Sequence, residues 1–303
     1  MKRLFVLVAL LSACSSASDA TEPSTTADSS VADTAKAPID TAVEDTGGGF
    51  DLGPSEASTC VPTETLETKC NAIDDDCNGA VDDVDVGKDG ICDCLGLKIL
   101  GTSGSLAAST FEAWLKAKGT TTTRRLDSAG GPLTAAELAG IDIVILDRLS
   151  RDYDKSEVDV LQAFVKEGGA LISMTGYDHS GADATRPNGI LAGLGATYDT
   201  TVRPNAPITD WDKTHPIAKD MTSVTFAGGY AVTPITGFTT AVVARSSGSP
   251  VAVAIEIGKG RVFVWGDEWI EYDSEWATIP AIPKLWANIF GWVVQRRCGV
   301  KIF

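Results

Sequence analysis

The 303-residue chain carries a formal net charge of −16 and contains 44% hydrophobic residues. The acidity is uneven: residues 15–59 and residues 60–95 carry −8 each, whereas residues 96–303 sum to only −2. Because no segment forms a basic footprint, we expect no nucleic-acid partner.

The N-terminus predicts an exported lipoprotein. A short basic stretch precedes an apolar run from Leu4 to Leu11, which is too short to span a bilayer and is typical of a secretory signal. Leu11-Ser12-Ala13-Cys14 resembles a bacterial lipobox, which implies a signal peptide over residues 1–13 and a lipid on Cys14. Ser15 favours the outer membrane, and the alternative is an ordinary signal peptide cut nearby. No later segment is apolar enough to span a bilayer, so the lipid is the only membrane attachment that we expect.

Residues 14–59 predict a disordered acidic tether. They are rich in Ser, Thr, Ala, Asp and Pro and contain a single aromatic residue, Phe50. Such a segment buries too little apolar surface to offset the entropy of ordering it. We therefore expect an outer-membrane lipoprotein that faces the periplasm or the exterior, with its folded parts held away from the lipid.

An acidic segment over residues 60–95 contains the spacing of an EF-hand-like calcium loop. Counted from Asp74, oxygen-bearing side chains recur at alternate positions and Gly79 permits a sharp turn. Hard oxygen ligands favour calcium over a transition metal. The alternative is a solvated acidic turn without metal. The candidate ligands are Asp74, Asp76, Asn78, Ala80 through its carbonyl, Asp82 and Asp85.

The cysteines predict disulfide bonds in an oxidising compartment. Six remain after Cys14, and three bonds among them allow fifteen pairings. An odd number of them lies before residue 95, so we expect one to bond to the distant Cys298 and tie the small module to the large domain. A zinc or copper site at Cys92 and Cys94 is the rival interpretation. The six cysteines are Cys60, Cys70, Cys77, Cys92, Cys94 and Cys298.

The stretch Cys70-Asn71-Ala72-Ile73-Asp74-Asp75-Asp76-Cys77-Asn78-Gly79-Ala80-Val81-Asp82-Asp83 resembles the repeated motif of the MopE-type metal-binding family, which is common in myxobacterial surface proteins. The likeness covers about 20 residues, and it departs at Ala72, often Gly in the family, and at Asp83, often Glu. The family's association with copper depends on a modified Trp that has no counterpart here. Calcium is therefore the cofactor we expect, and copper is the weaker alternative.

From residue 96 the pattern alternates between strands and helices, which predicts an α/β domain with a mostly parallel sheet over residues 96–303. Thr134 and Asp154 each begin a capping box that marks the start of a helix. The predicted strands cover 97–101, 120–126, 141–147, 170–175 and parts of 241–269; the other predicted helices cover 105–118 and 283–295.

Three phrases in this domain resemble the class I glutamine amidotransferase-like fold and its ThuA-like relatives. The resemblance implies a flavodoxin-like three-layer sandwich. Amidotransferases of this class need a nucleophilic Cys, yet no Cys occurs between Cys94 and Cys298, which excludes glutamine hydrolysis by that mechanism. The phrases lie at 161–172, 214–217 and 258–267.

Loops at the carboxyl ends of parallel strands are where ligands bind in such sheets. They contain four weak catalytic candidates: Asp178, His179, Asp267 and Glu268. A phosphate-binding loop at 102–105 is a further alternative, and His215 before Pro216 is best explained as part of a structural turn. The aromatic and acidic run 265–276 could stack on sugar rings and hydrogen-bond their hydroxyls. We favour the other interpretation, in which its aromatic residues cover the end of the sheet and its acids face water.

The sequence therefore predicts a non-catalytic surface lipoprotein. Its calcium-stabilised module would present a degenerate amidotransferase-like domain that binds a carbohydrate or protein ligand. One alternative is a hydrolase that acts on a carbohydrate or another small substrate at the carboxyl end of the sheet. The other alternative is capture of copper or another metal.

Overall fold

The computed structural model describes residues 60–71, 73–79, 82–85, 88, 92–102, 108–176 and 181–294. Across these ranges no helix is both long enough and apolar enough to cross a membrane. Several sequence predictions lie outside the described residues: the signal peptide, the tether and the assignments to Cys14, Ala80, Asp178, His179 and Cys298.

Ten strands and five α-helices form in the described part of the chain. The helices are α1 Ser109–Ala117, α2 Lys155–Lys166, α3 Ala182–Leu191, α4 Asp273–Thr278 and α5 Ala281–Val293. The strands are β1 Gly96–Gly101, β2 Thr121–Leu126, β3 Ile143–Asp147, β4 Ala170–Met174, β5 Ala196–Asp199, β6 Asp210–Trp211, β7 Ala231–Pro234, β8 Thr239–Ser246, β9 Ser249–Ile257 and β10 Gly260–Trp265.

Eight strands form one sheet in the order β2-β1-β3-β4-β10-β9-β8-β6, and β5 pairs with β7 separately. The pairs from β2 to β10 are parallel, whereas the pairs from β10 to β6 are antiparallel. Strands β3 and β4 are buried along their whole length, as expected of central parallel strands with both faces covered. The predicted mostly parallel α/β sheet is confirmed.

Helices cover both faces of this sheet. Ile143 and Ile145 of β3 join one buried cluster with residues of α1 and α5, whereas Val144 and Leu146 join a second cluster with residues of α2 and α3. Successive side chains of a strand point to opposite faces, so the continuous apolar run of β3 serves both clusters. The architecture is the predicted three-layer sandwich.

Both predicted capping boxes are present, at Thr134 and Asp154. Helix α1 begins at Ser109, which corrects the predicted start at residue 105. The reason is a tertiary cap: Asp273 accepts hydrogen bonds from the Ser109 hydroxyl (2.6 Å) and the Thr110 amide (2.7 Å). Helix α5 begins at Ala281, two residues before the predicted start, with Pro283 tolerated in its first turn.

Helix α3 was not predicted because it contains Pro187, which reads as a helix breaker. Proline has no amide hydrogen, so it cannot bond to the carbonyl of Asp183 four residues earlier. The buried hydroxyl of Thr175 donates to that carbonyl at 2.7 Å instead. A tertiary hydrogen bond thus replaces the missing helical one.

The Cys-rich module is held together by disulfide bonds. Cys60 bonds to Cys77 and Cys70 bonds to Cys94. Cys92 is also disulfide-bonded, and its partner lies outside the described residues. The rival interpretation of a zinc or copper site at Cys92 and Cys94 is therefore wrong, because a disulfide sulfur has no thiolate to offer a metal.

Apolar side chains of this module contribute little to a core. Val61, Leu66 and Ile73 are exposed, whereas Val84 and Leu95 are buried. The described residues of the module and of the α/β domain belong to one compact unit. So small a module cannot rely on hydrophobic burial, and covalent or ionic cross-links must substitute for it.

We expect Thr175→Val to destabilise the fold by about 1–3 kcal/mol, because it leaves the Asp183 carbonyl without a donor. Thr175→Ser, which keeps the hydroxyl, should lower the free energy of unfolding by less. Urea unfolding of both variants measures the difference. Equal losses in the two variants would show that the hydrogen bond does not support α3.

Candidate functional site

The acidic loop of the module folds around the turn that the sequence predicted. Gly79 has a φ of +92°, a conformation that glycine adopts without strain. The Asp74 carboxylate accepts hydrogen bonds from the backbone amides of Asn78 (3.1 Å) and Gly79 (2.9 Å). These contacts close the loop.

Three of those carboxylates converge. One oxygen from each of Glu67, Asp76 and Asp83 lies within 4.8 Å of the other two. We call this group the module cluster. Glu67 is 5% exposed, and its Oε1 accepts the amide of Asp75 at 2.9 Å. Its buried Oε2 has no hydrogen-bond partner within the described part of the chain.

Burial raises the pKa of Glu67, backbone donors from Asp75 and Asp83 oppose that shift, and the charges of Asp83 and Asp82 reinforce it. A buried carboxylate with a free oxygen beside two other carboxylates is costly unless a cation or a proton neutralises it. The donor set is made only of oxygens, which suits calcium.

Only part of the predicted ligand set meets in this cluster. Asp76 belongs to it, and Asn78 donates its side-chain amide to Asp76 (3.0 Å) and to Asp83 (2.9 Å). The carboxylates of Asp74 and Asp82 instead accept backbone amides. Asp85 is half-buried. The ligand roles of Asp74, Asp82 and Asp85 stay predictions.

Glu67 was not found from the sequence because it lies outside the loop whose spacing was considered. Its place three residues before Cys70 gives no periodic signal. The Cys70–Cys94 and Cys60–Cys77 bonds fold the preceding segment back towards the loop. Asp83 was passed over because the EF-hand spacing assigns no ligand to that position.

A second group of polar residues lies at the carboxyl ends of the parallel strands. The order β2-β1-β3-β4 places a switch point between β1 and β3, where ligands bind in flavodoxin-like sheets. Four buried carboxyl groups meet two arginines at this edge, and we call them the sheet-edge cluster. Its members are Arg124, Asp147, Arg148, Asp267, Glu268 and Glu271.

Arg124 of β2 is paired with the first of these acids. Its Nη1 donates to Asp147 Oδ2 at 2.6 Å and to the Thr102 carbonyl at 3.1 Å, and its Nη2 donates to Glu112 at 3.0 Å. Asp147, at the end of β3, is 4% exposed. The Asp147 side chain also contacts the carboxyl group of Glu271.

Arg148 is paired with the second half of the cluster. It has a φ of +46°, and its Nη1 donates to the Tyr272 hydroxyl at 2.9 Å and lies 3.7 Å from Glu268 Oε1. Tyr272 in turn donates to the same oxygen of Glu268 at 3.2 Å. Gly176 lies so close that a Cβ there would come within 2.7 Å of both Arg148 and Glu268. A larger residue after β4 would therefore displace the Arg148 or Glu268 side chain.

Burial raises the pKa of three acids in the sheet-edge cluster. Burial is the largest cause that raises the pKa of Asp267 and of Glu271 well above the usual range, and a neighbouring carboxylate adds to each shift. The pKa of Glu268 is also raised by burial, while Arg148 and Tyr272 oppose that shift. The cluster therefore retains protons that exposed acids would lose.

Of the four catalytic candidates, Asp267 and Glu268 lie in this cluster, while Asp178 and His179 are outside the described residues. The sequence placed Asp147 in a loop at this edge but did not single out Glu271, because the meeting of the two depends on the registers that β10 and β3 each form with β4. His215 starts a short 3₁₀ turn and its Nδ1 accepts the Ile217 amide, which supports the structural interpretation. Trp265 is fully buried in the core, so it is not available to stack on a sugar. Asp267, Glu268 and Glu271 of the same run are buried too, which corrects the expectation that its acids face water.

No family model matches the chain, and no curated protein matches its sequence. Solved structures are similar in fold. A cytoplasmic protein from Salmonella typhimurium LT2 is 16% identical with a TM-score of 0.54, and the match covers 66% of this chain and 99% of that one. The mmIFT52 N-terminal domain is 13% identical with a TM-score of 0.54, and the match covers 65% of this chain and 97% of that one.

A glutamine amidotransferase from Thermotoga maritima is also among the structural neighbours. It is 12% identical with a TM-score of 0.43, and the match covers 69% of this chain and 87% of that one. A score this low carries no argument by itself, and identities of 12–16% bear on the fold alone. The predicted α/β fold is confirmed, while membership of the amidotransferase-like and MopE-type families stays a prediction.

We expect Arg124→Met to destabilise the protein by about 3–5 kcal/mol at neutral pH, because Asp147 would remain buried without its cation. Lys155→Met is the control, since Lys155 pairs with Asp159 in the solvent and should contribute little. Urea unfolding of both variants at neutral pH tests this, and equal losses of stability in the two variants would contradict it.

Proposed function

We propose that this protein is an outer-membrane lipoprotein that binds calcium in its Cys-rich module and uses its α/β domain for binding and not for catalysis. The proposal depends mainly on Glu67. Its Oε2 atom is buried and has no hydrogen-bond partner within the described part of the chain, and its carboxylate lies beside those of Asp76 and Asp83. The lipid on Cys14 would anchor the chain, with the folded unit facing the periplasm or the exterior.

Calcium would remove the main electrostatic cost of the module. The ion would be held by Glu67, Asp76 and Asp83, with further loop oxygens in reach of a cation that accepts six to eight ligands. A calcium concentration of about 100 times the dissociation constant would stabilise the fold by about 2.7 kcal/mol. Copper is less suited, because the described cysteines of the module are oxidised and the segment 60–95 contains no His.

The α/β domain lacks the catalytic nucleophile of the amidotransferases that it resembles. No Cys lies between Cys94 and Cys298, so none of the strand-to-helix turns in that range carries the amidotransferase nucleophile. At the sheet edge, both arginines and the acids beside them are engaged with one another. A domain of this kind is suited to present loops to a carbohydrate or protein ligand.

A hydrolase is the second candidate function, and one observation favours it. Asp267 and Glu268 are adjacent acids with raised pKa values at the edge where active sites form, and a carboxyl group held protonated near neutral pH can act as a general acid. Asp267→Asn should abolish such an activity, whereas a binding function would retain its ligand.

Calorimetric titration of the metal-stripped full chain in detergent tests the calcium proposal. We expect one calcium to bind and to raise the melting temperature. Glu67→Gln should weaken binding at least about tenfold, because the amide removes one charged ligand from the site. Glu64→Gln is the matched control in the same module, since Glu64 bonds to Thr68 and Lys69 and lies outside the module cluster.

Three results would contradict the proposal. The first is an absence of calcium binding, and the second is an equal loss of affinity in the Glu67 and Glu64 variants. The third is tighter binding of copper than of calcium, which would make metal capture the leading function.

A further inference from the structure

The segment that follows β10 crosses the carboxyl edge of the sheet before it enters α5. Residues 267–278 contain a short 3₁₀ turn over Trp269–Glu271 and the helix α4. We call these residues the strap. Its polar side chains meet the ends of β3 and β4, at Asp147, Arg148 and Gly176.

The contact between the strap and the sheet is dominated by acids. The strap contributes Asp267, Glu268 and Glu271, each no more than 4% exposed, and the sheet contributes Asp147. Two guanidinium groups, on Arg124 and Arg148, lie among these four carboxyl groups. Full ionisation would leave two excess negative charges in a buried site, where the protein solvates them far less well than water does.

Three carboxyl oxygens without a hydrogen-bond donor mark where bound protons would neutralise the excess negative charge. Asp147 Oδ1, Glu268 Oε2 and Glu271 Oε2 are buried and have no donor within the described part of the chain. The carboxyl groups of Asp147 and Glu271 contact each other, as do those of Asp267 and Glu268. A proton shared within each pair would satisfy these oxygens and reduce the net charge to zero.

We propose that the strap is a proton-dependent clamp, held on the sheet edge by two carboxyl–carboxylate pairs and loosened when those pairs lose their protons. Arg124 would anchor the pair Asp147–Glu271, and Arg148 would anchor the pair Asp267–Glu268. This inference goes beyond the proposed calcium binding and does not depend on it, because it uses none of the residues of the module cluster.

The charged and titratable groups that the structure describes around the pairs bear on the sign of the effect. Among these described groups the acids outnumber the bases, so loss of protons adds repulsion. The groups are Arg124 from β2, Glu112 from α1, Asp147 and Arg148 at the end of β3, Asp183 from α3, and Asp267, Glu268, Glu271, Tyr272 and Asp273 from the strap.

The direction of the pH dependence follows from the raised pKa values. Asp267 and Glu271 bind protons more tightly when the strap is docked, so their protonation stabilises the docked state. This stabilisation is complete below their ordinary pKa values of 3.8 and 4.5. It is lost as the pH rises through their raised pKa values in the docked state. Docking should therefore weaken from mildly acidic to alkaline pH. Buried Ile270 and the bonds from Asp273 to α1 retain part of the contact.

Hydrogen exchange of the full chain, followed by mass spectrometry between pH 5 and pH 9, tests the clamp. After correction for intrinsic exchange, protection of residues 267–278 relative to β4 should fall by up to about tenfold per pH unit for each proton released. Glu271→Gln and Glu268→Gln place an amide donor at an oxygen without a partner in each pair, so both variants should flatten the profile and protect the strap better at pH 8.

Glu167→Gln is the matched control, because Glu167 is exposed at the end of α2 and should leave the profile unchanged. A wild-type strap whose relative protection is constant from pH 5 to pH 9 would overturn the proposal, whether or not the variants fold. So would a profile that the two variants share with the wild type. Adding calcium should not change the wild-type profile, which separates a failure of the clamp from a failure of the calcium site.

Discussion

Buried carboxyl groups that outnumber the cations beside them are the constraint on which this structure depends. Water stabilises a carboxylate far better than a protein interior does, so each buried acid needs a cation, a proton or several donors. Buried Asp127 and Glu157 have such partners in Tyr153 and Arg151. Two other groups of described acids have fewer: Glu67 with its neighbours in the Cys-rich module, and four acids at the carboxyl edge of the sheet. How each group is neutralised determines what each part of the protein can do.

The two places favour different solutions. The module cluster consists of three carboxylates and contains no basic side chain. Disulfide bonds hold the surrounding module together, because most of its described large apolar side chains are exposed. A calcium ion would neutralise it and add a cross-link. The sheet edge already contains Arg124 and Arg148, so protons suffice there. The first region would respond to calcium and the second to pH.

The sequence predicted what local patterns encode. The buried strand β3, the capping boxes at Thr134 and Asp154 and the turn at Gly79 each depend on neighbouring residues, and each is confirmed. Features that depend on distant residues were missed. Helix α3 contains Pro187, and the Thr175 hydroxyl donates to the carbonyl to which the proline cannot bond. The site residues Glu67 and Glu271 converge with their partners only after disulfides and strand register place them, and neither lies in a periodic pattern.

Infrared spectroscopy of the carboxyl groups tests most directly whether the two clusters are neutralised in different ways. At neutral pH the account predicts absorption from buried protonated carboxyl groups that does not change when calcium is added and decreases when Asp267 and Glu271 are replaced by amides. It also predicts that calcium shifts the carboxylate bands, and that this shift is lost in the Glu67→Gln variant. Absence of any protonated carboxyl signal at neutral pH, with the protein folded, would contradict the account.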